Sequence, residues 1–305
     1  MTGLPLLITG GTGLLGLHWA AARREAQPVT LALHRRRIVL PGTTTRPLDL
    51  ADPRDLDAAL TEDRIACVIH TAGLTSVEHC EQDPGAAHYH NVTLAATVAA
   101  AAERAGAALI HISTDHLFDG RAALYDEDSP VMPVNVYGQT KARAEEAVLR
   151  AHPRALVLRT NFYGWGPSYR PSFSDWLLAS LRQDRPLRLF TDVRYTPTHI
   201  TPLIAAATDL SAKGAAGIVN AVGDEALSKH AFGLHLAERF GLSVARIEPA
   251  RLSDQHGLVR RPLSMALSTR RLHGLLGHGL GGVACHLDLL RAQEDNPAIT
   301  EIRSL

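Results

Sequence analysis

Cysteine is scarce in this chain. Three are present in 305 residues, Cys67, Cys80 and Cys285, odd in number and far apart. They supply neither a disulfide framework nor a C-x-x-C metal pair, so a reducing, cytoplasmic compartment is the expected setting. Excess charge is missing too. Lys plus Arg and Asp plus Glu number 31 each, so no global field draws nucleic acid or an acidic membrane surface. No apolar run reaches the roughly eighteen residues of a membrane span, and the N-terminal GLPLLITGG lacks the basic start of a signal peptide. Internal repeats, low-complexity tracts and flexible linkers are absent as well. The expectation is an intracellular globular protein with no nucleic-acid and no membrane partner.

What is present is globular in composition, 46% hydrophobic and 20% charged. Short apolar runs read as strands at 4–9 (LPLLIT), 29–33 (VTLAL), 45–50 (TRPLDL), 66–72 (ACVIHTA), 108–113 (ALIHIS) and 154–160 (RALVLRT). Helical stretches separate them, one over 14–25 and a long one over 84–104 that Gly106 stops. Continuous apolar strands alternating with helices predict a parallel sheet covered on both faces, the doubly wound α/β fold. The expected division is a Rossmann-type dinucleotide-binding domain over 1–165 and a smaller substrate-binding lobe over 166–305. A strand near 217–223 is expected to rejoin the first sheet.

The turn after the first strand reads TGGTGLLG, placing Gly10, Gly13 and Gly16 as G-x-x-G-x-x-G where a helix opens. Glycines there let backbone N–H groups approach a pyrophosphate at the positive end of a helix. Thr12, Leu14 and Leu15 belong to the same turn and are candidate cofactor contacts. NAD sites usually carry an acid at the end of strand two. This chain has His34, Arg35, Arg36 and Arg37, and guanidinium forks at Arg35 and Arg36 suit a 2′-phosphate, so NADP(H) is the expected cofactor. Asp49 and Leu50, closing the third strand, are candidates for the adenine side; a helix cap is the competing role for Asp49.

VYGQTK sets Tyr137 and Lys141 four apart, on one helix face. Strand five ends in Ser113, Thr114 and Asp115, at the sheet edge where ligands lie in this fold. A carbonyl reduced by hydride needs a proton. A tyrosine can give it, a nearby ammonium stabilises the tyrosinate left behind, and a threonine hydroxyl can hold the oxygen. Thr114, Tyr137 and Lys141 are the candidate catalytic set.

These motifs resemble the extended short-chain dehydrogenase/reductases, and more closely their dTDP-4-dehydrorhamnose reductase-like branch. Further counterparts are VIHTAGLTSVEHCEQDP, HISTDHLFDG, YDEDSPVMPVNVYGQTKARAEE, LRTNFYG, GDEALSKHAFGLHLAERFG and RRPLSMALST, so the resemblance spans nearly the whole chain. It implies an NADP(H)-dependent reductase of a keto group on a nucleotide-linked 4-keto-6-deoxysugar. It also implies cofactor contacts at Ala72 and Gly73, a supporting role for Asn91, and substrate contacts at Thr75, Asp115, His116, Asn161 and Phe162. Three substrate-side positions depart from the branch: His116 where an aromatic is common, Phe162 where a tryptophan often sits, and RPLSMAL without the motif's asparagine. A sugar-nucleotide epimerase, a reductase of a non-sugar ketone or imine, and a regulatory subunit like that of methionine adenosyltransferase therefore stay open, as does a homodimer. A dehydratase would carry Thr-Asp-Glu where this chain has Thr114, Asp115 and His116. EHC (Glu78, His79, Cys80) with HYH (His88 to His90) is the best metal candidate among sixteen histidines and their neighbours, but these residues lack convergent ligand spacing, and no metal is expected.

Overall fold

A computed structural model describes residues 3–255 and 257–305. The chain opens with β1 (Leu6–Thr9), α1 (Leu14–Arg23), β2 (Val29–Leu33), β3 (Thr44–Pro47), α2 (Pro53–Glu62) and β4 (Cys67–His70). Next come α3 (Val77–Gln82), α4 (Pro84–His88), a π-helical turn (Tyr89–Thr93), α5 (Leu94–Arg104), β5 (Ala108–Ile112), α6 (Val136–Ala151) and β6 (Leu156–Arg159). The remainder holds β7 (Phe162–Tyr163), α7 (Phe173–Arg182), β8 (Leu187–Phe190), β9 (Arg194–Tyr195), β10 (Thr198–His199), α8 (Ile200–Ala212) and β11 (Gly217–Asn220). It ends with β12 (Leu227–Ser228), α9 (Lys229–Arg239), β13 (Ile247–Ala250), β14 (Ser264–Met265) and three further helices.

Among the described residues, seven strands form the main sheet in the order β11-β6-β5-β4-β1-β2-β3. The pairings from β3 through β6 are parallel. Strand order reverses at β1, between β4 and β2, and such a switch point opens a crevice at the C-terminal strand ends. β1, β2, β4 and β6 are buried along their length, which is why they read as unbroken apolar runs. The edge strand β3 is largely exposed. Leu7, Val68 and Leu109 lie side by side in register and pack with Val98, Ala144 and Val148 in one core.

The chain divides into two units at places other than residue 165. One unit holds 1–114, 135–159 and 207–219; the other holds 115–134, 160–206 and 220–305. The loops that leave β5 and β6 belong to the second unit, because each strand ends at the sheet edge and hands the chain on. Such crossings leave little trace in composition, so the second unit is larger than the lobe read from the sequence. The long helix expected over 84–104 is interrupted by the π-helical turn at Tyr89–Thr93, a feature that often marks functional sites. The third strand stops at Pro47, three residues short of Leu50. In the second unit β12, β9 and β14 form a small sheet, and β13 pairs with β8.

Candidate active site

The β1–α1 turn brings the three glycines together. Gly10 has φ +70, and a Cβ there would lie 2.7 Å from both Ala72 N and Thr71 Oγ1. A Cβ on Gly16 would lie 2.7 Å from Gly10 O. Only glycine permits this closeness of the turn to its own helix and to the end of β4. Gly13 is the N-cap of α1 and supplies no side-chain cap, so the first-turn N–H groups of Leu14, Leu15 and Gly16 are presented as an anion cradle. Thr12 is half-buried in the same turn. Ala72 and Gly73 follow β4, and Arg35 and Arg36 are exposed just past β2. An uncapped glycine cradle beside exposed guanidiniums fits a dinucleotide bearing an additional phosphate.

Asp49 departs from its expected place. It sits two residues beyond β3, is exposed, and its Oδ1 accepts from Ala51 N at 2.9 Å. The cap of α2 is Asp52, which accepts from Arg54 N at 2.8 Å. Asp49 thus shapes the turn before the helix, with half-buried Leu50 beside it.

Helix α6 is capped by its own sequence. Asn135 Oδ1 accepts from Gly138 N at 2.8 Å, and Glu81 accepts from Val136 N at 3.0 Å. These contacts cap and hold the first turn, which carries Tyr137, with Lys141 one turn on; both side chains are buried. Further along, Glu145 takes bonds from Arg159 Nη2 at 2.7 Å and from Ser113 Oγ at 2.6 Å. That buried triad ties α6 to the ends of β5 and β6, and Thr114 follows Ser113 directly. Asn91, in the π-helical turn, donates to Thr140 Oγ1 and to Leu74 O, both at 3.0 Å, and accepts from Leu74 N at 2.7 Å. It therefore clamps the loop after β4 to α6, which is more than a bond between helices. Thr114, Tyr137 and Lys141 all belong to the sheet unit.

Lys141 Nζ donates to Ile112 O at 2.7 Å. Burial pushes its pKa down to about 8, against the pull of Glu145. The ammonium is therefore lost as pH rises through that value. Any step that needs the ammonium should slow on the alkaline side from about pH 8; a pH–rate profile of the wild type checks this.

In the second unit, three expected substrate residues come together. Asn161 Nδ2 donates to Asp115 Oδ2 at 2.7 Å, and His116 Nε2 lies 4.0 Å from Asp115 Oδ1. Phe162 is half-buried at the start of β7, paired with Thr198. Thr75 belongs to the sheet unit, exposed in the loop before α3. Lys229, which the motifs did not single out, joins the Asp115 group. Its Nζ lies 3.4 Å from the Tyr195 ring centroid and 4.7 Å from that of Phe173. Burial lowers its pKa to about 8, opposed by Asp115. A lysine immediately after the Ser228 cap of α9, inside an otherwise apolar-faced helix, was the available signal. Glu145 and Arg159 also lie outside those motif assignments; a charged residue closing the apolar run of β6 is the signal for them. Among the described residues no group of three or more His, Cys, Asp or Glu is placed to hold a metal.

The family described as RmlD substrate binding domain matches residues 4–280. The chain is 30% identical over 251 residues to a dTDP-4-dehydrorhamnose reductase of Streptomyces griseus, covering 80% of this chain and 78% of that one. It is 28% identical over 278 residues to methionine adenosyltransferase 2 subunit beta of Xenopus laevis, covering 87% and 80%. Among solved structures, a dTDP-4-dehydrorhamnose reductase of Bacillus anthracis in complex with NADP matches with a TM-score of 0.86 at 21% identity, over 95% of this chain and 99% of that one. A glycine cradle, a Tyr/Lys helix and a family match over nearly the whole length agree: this chain belongs to the RmlD substrate binding domain family, in the dTDP-4-dehydrorhamnose reductase-like branch of the extended short-chain dehydrogenase/reductases.

Proposed function

We propose that the protein is an NADP(H)-dependent reductase of a keto group on a nucleotide-linked 4-keto-6-deoxysugar. The observation that carries this is the buried pair on α6: Tyr137 in the first turn and Lys141, its ammonium held against the end of β5, one turn later. When bound, NADPH supplies the hydride for the carbonyl carbon. Tyr137 gives its hydroxyl proton to the carbonyl oxygen. The Lys141 ammonium favours the tyrosinate that remains, and the Thr114 hydroxyl holds the oxygen in place. The Arg159–Glu145–Ser113 triad keeps α6 in register with the strand that delivers Thr114. Asp115, His116, Asn161 and Lys229 form the polar group we assign to the sugar.

Cofactor choice follows from Arg35 and Arg36, which stand where an acid would accept the ribose hydroxyls of NAD. NADPH should bind more tightly than NADH. Replacing both arginines by Ala should remove about 1–3 kcal/mol of that preference, read by fluorescence titration of the two nucleotides; a wild type that prefers NADH contradicts the assignment.

The reading as a whole is tested by adding nucleotide-linked 4-keto-6-deoxysugars to the protein with NADPH. One equivalent of NADPH should be oxidised per sugar reduced. An epimerase would change the sugar with no net cofactor consumption, and a regulatory subunit would leave both unchanged.

A further inference from the structure

A buried polar row crosses the sheet just below the nucleotide edge. Thr9, His70 and His111 are direct register partners on β1, β4 and β5. Side chains alternate along a strand, so these three share a face with Leu7, Val68 and Leu109, two residues earlier, in the apolar core. The imidazoles are stacked, with centroids 5.3 Å apart and planes 19° apart. His70 Nδ1 lies 2.7 Å from Thr9 Oγ1, and His111 Nε2 lies 3.4 Å from Lys141 Nζ. His70 Nε2 and His111 Nδ1 have no hydrogen-bond partner among the described residues. Apolar side chains of similar size would fill this layer without leaving buried nitrogens unbonded. Packing alone does not account for the row.

The protonation state is set by the surroundings. Burial, and after it the charge of Lys141, lowers both imidazoles, His70 to about 3, so both rings are neutral where the protein works. An ammonium has three N–H donors and no lone pair. The ring nitrogen that faces it must therefore accept, which fixes His111 as the tautomer protonated at Nδ1. Lys141 spends one N–H on Ile112 O and turns a second toward His111 Nε2. One of its three donors is left for the reacting groups. At 3.4 Å the second contact is long, and its effect is the pull of an oriented lone pair on a buried charge.

We propose that His111 is a positioning residue: as a neutral acceptor it keeps Lys141 charged and aims the remaining N–H of its ammonium toward Tyr137 and the bound cofactor. This rests on the reductase reading above. His70, keyed by Thr9, backs the His111 ring from the neighbouring strand. The other charged group acting on the ammonium is Glu145 on α6, which favours the charge but is itself engaged by Arg159 of β6 and Ser113.

Two substitutions and one spectrum test this. His111→Phe keeps a flat ring and removes the acceptor, which disfavours the ammonium. The alkaline limb of reductive turnover should then move down by on the order of one pH unit, the equivalent of one lost hydrogen bond. His111→Gln returns an acceptor oxygen and should restore most of the shift. The pH dependence of NADPH affinity should move in parallel. In the cofactor-free wild type, nitrogen-15 spectra should show His111 neutral and protonated at Nδ1 throughout the neutral range, a readout that stands even if His111→Phe fails to fold. A His111 that titrates to a cation in that range, or an unmoved limb in a folded His111→Phe, overturns the inference. If Tyr137→Phe abolishes turnover while that limb stays put, only the role of His111 is lost; undiminished turnover in Tyr137→Phe removes the reading beneath it.

Discussion

Tyr137→Phe is expected to lower reductive turnover by roughly a hundred- to ten-thousand-fold, the usual contribution of a positioned general acid. The substitution removes one hydroxyl from a residue whose ring is buried in the first turn of α6. The cap at Asn135, the Thr140 hydroxyl bonded to the Tyr137 carbonyl and the triad at Glu145 do not depend on that hydroxyl. Fold and NADPH binding should therefore be retained. The measurement is turnover, NADPH affinity and thermal midpoint on one preparation. A fall in all three together would mean that the tyrosine serves the fold, and unchanged turnover would remove it from the chemistry.

The largest loss of stability is expected at Glu145 or Arg159. Their side chains are 4% and 2% exposed, with Nη2 and Oε2 2.7 Å apart. Breaking a buried pair by removing one partner leaves an uncompensated charge and costs about 3–5 kcal/mol. Glu145→Leu also deprives Ser113 Oγ of its acceptor. Arg159→Met should cost about as much. The double replacement should be less damaging than the sum of the singles, because neither charge is then stranded. Urea midpoints of the four proteins check this. Additive losses would mean that the two side chains do not act as a pair.

Much of this architecture could be read from the residues, because buried parallel strands announce themselves. LLIT, VTLAL, CVIH and LVLR are apolar on both faces, and the glycine turn follows the first of them directly. The α/β sheet was therefore legible. The helix at VYGQTK was legible from Tyr137 and Lys141 standing four apart; its Asn135 cap lies just ahead of that motif. What depends on distant neighbours was not. The interruption at Tyr89–Thr93 looks helical in composition, and its departure shows only where Asn91 must reach both Leu74 and Thr140. The partnership of Glu145, Arg159 and Ser113 spans three elements. His70 and His111 lie 41 positions apart in sequence and meet only through strand register. Where the chain passes from one unit to the other, after residues 114, 134, 159, 206 and 219, composition does not change. The carboxylate of Asp49 closes a turn through Ala51 N, a local contact that composition does not announce.

The central claim is that hydride passes to a sugar carbonyl while Tyr137 supplies the proton. It is tested most directly by following deuterium from NADPH labelled at nicotinamide C4, using the label on each face in turn, into a nucleotide-linked 4-keto-6-deoxysugar. The account predicts one deuterium per product molecule, from one face only, at the carbon that bore the keto group. Oxidised cofactor should appear in equal amount, and the rate should collapse in Tyr137→Phe. Unlabelled sugar recovered alongside intact NADPH, or labelled product formed at full rate by Tyr137→Phe, would contradict it.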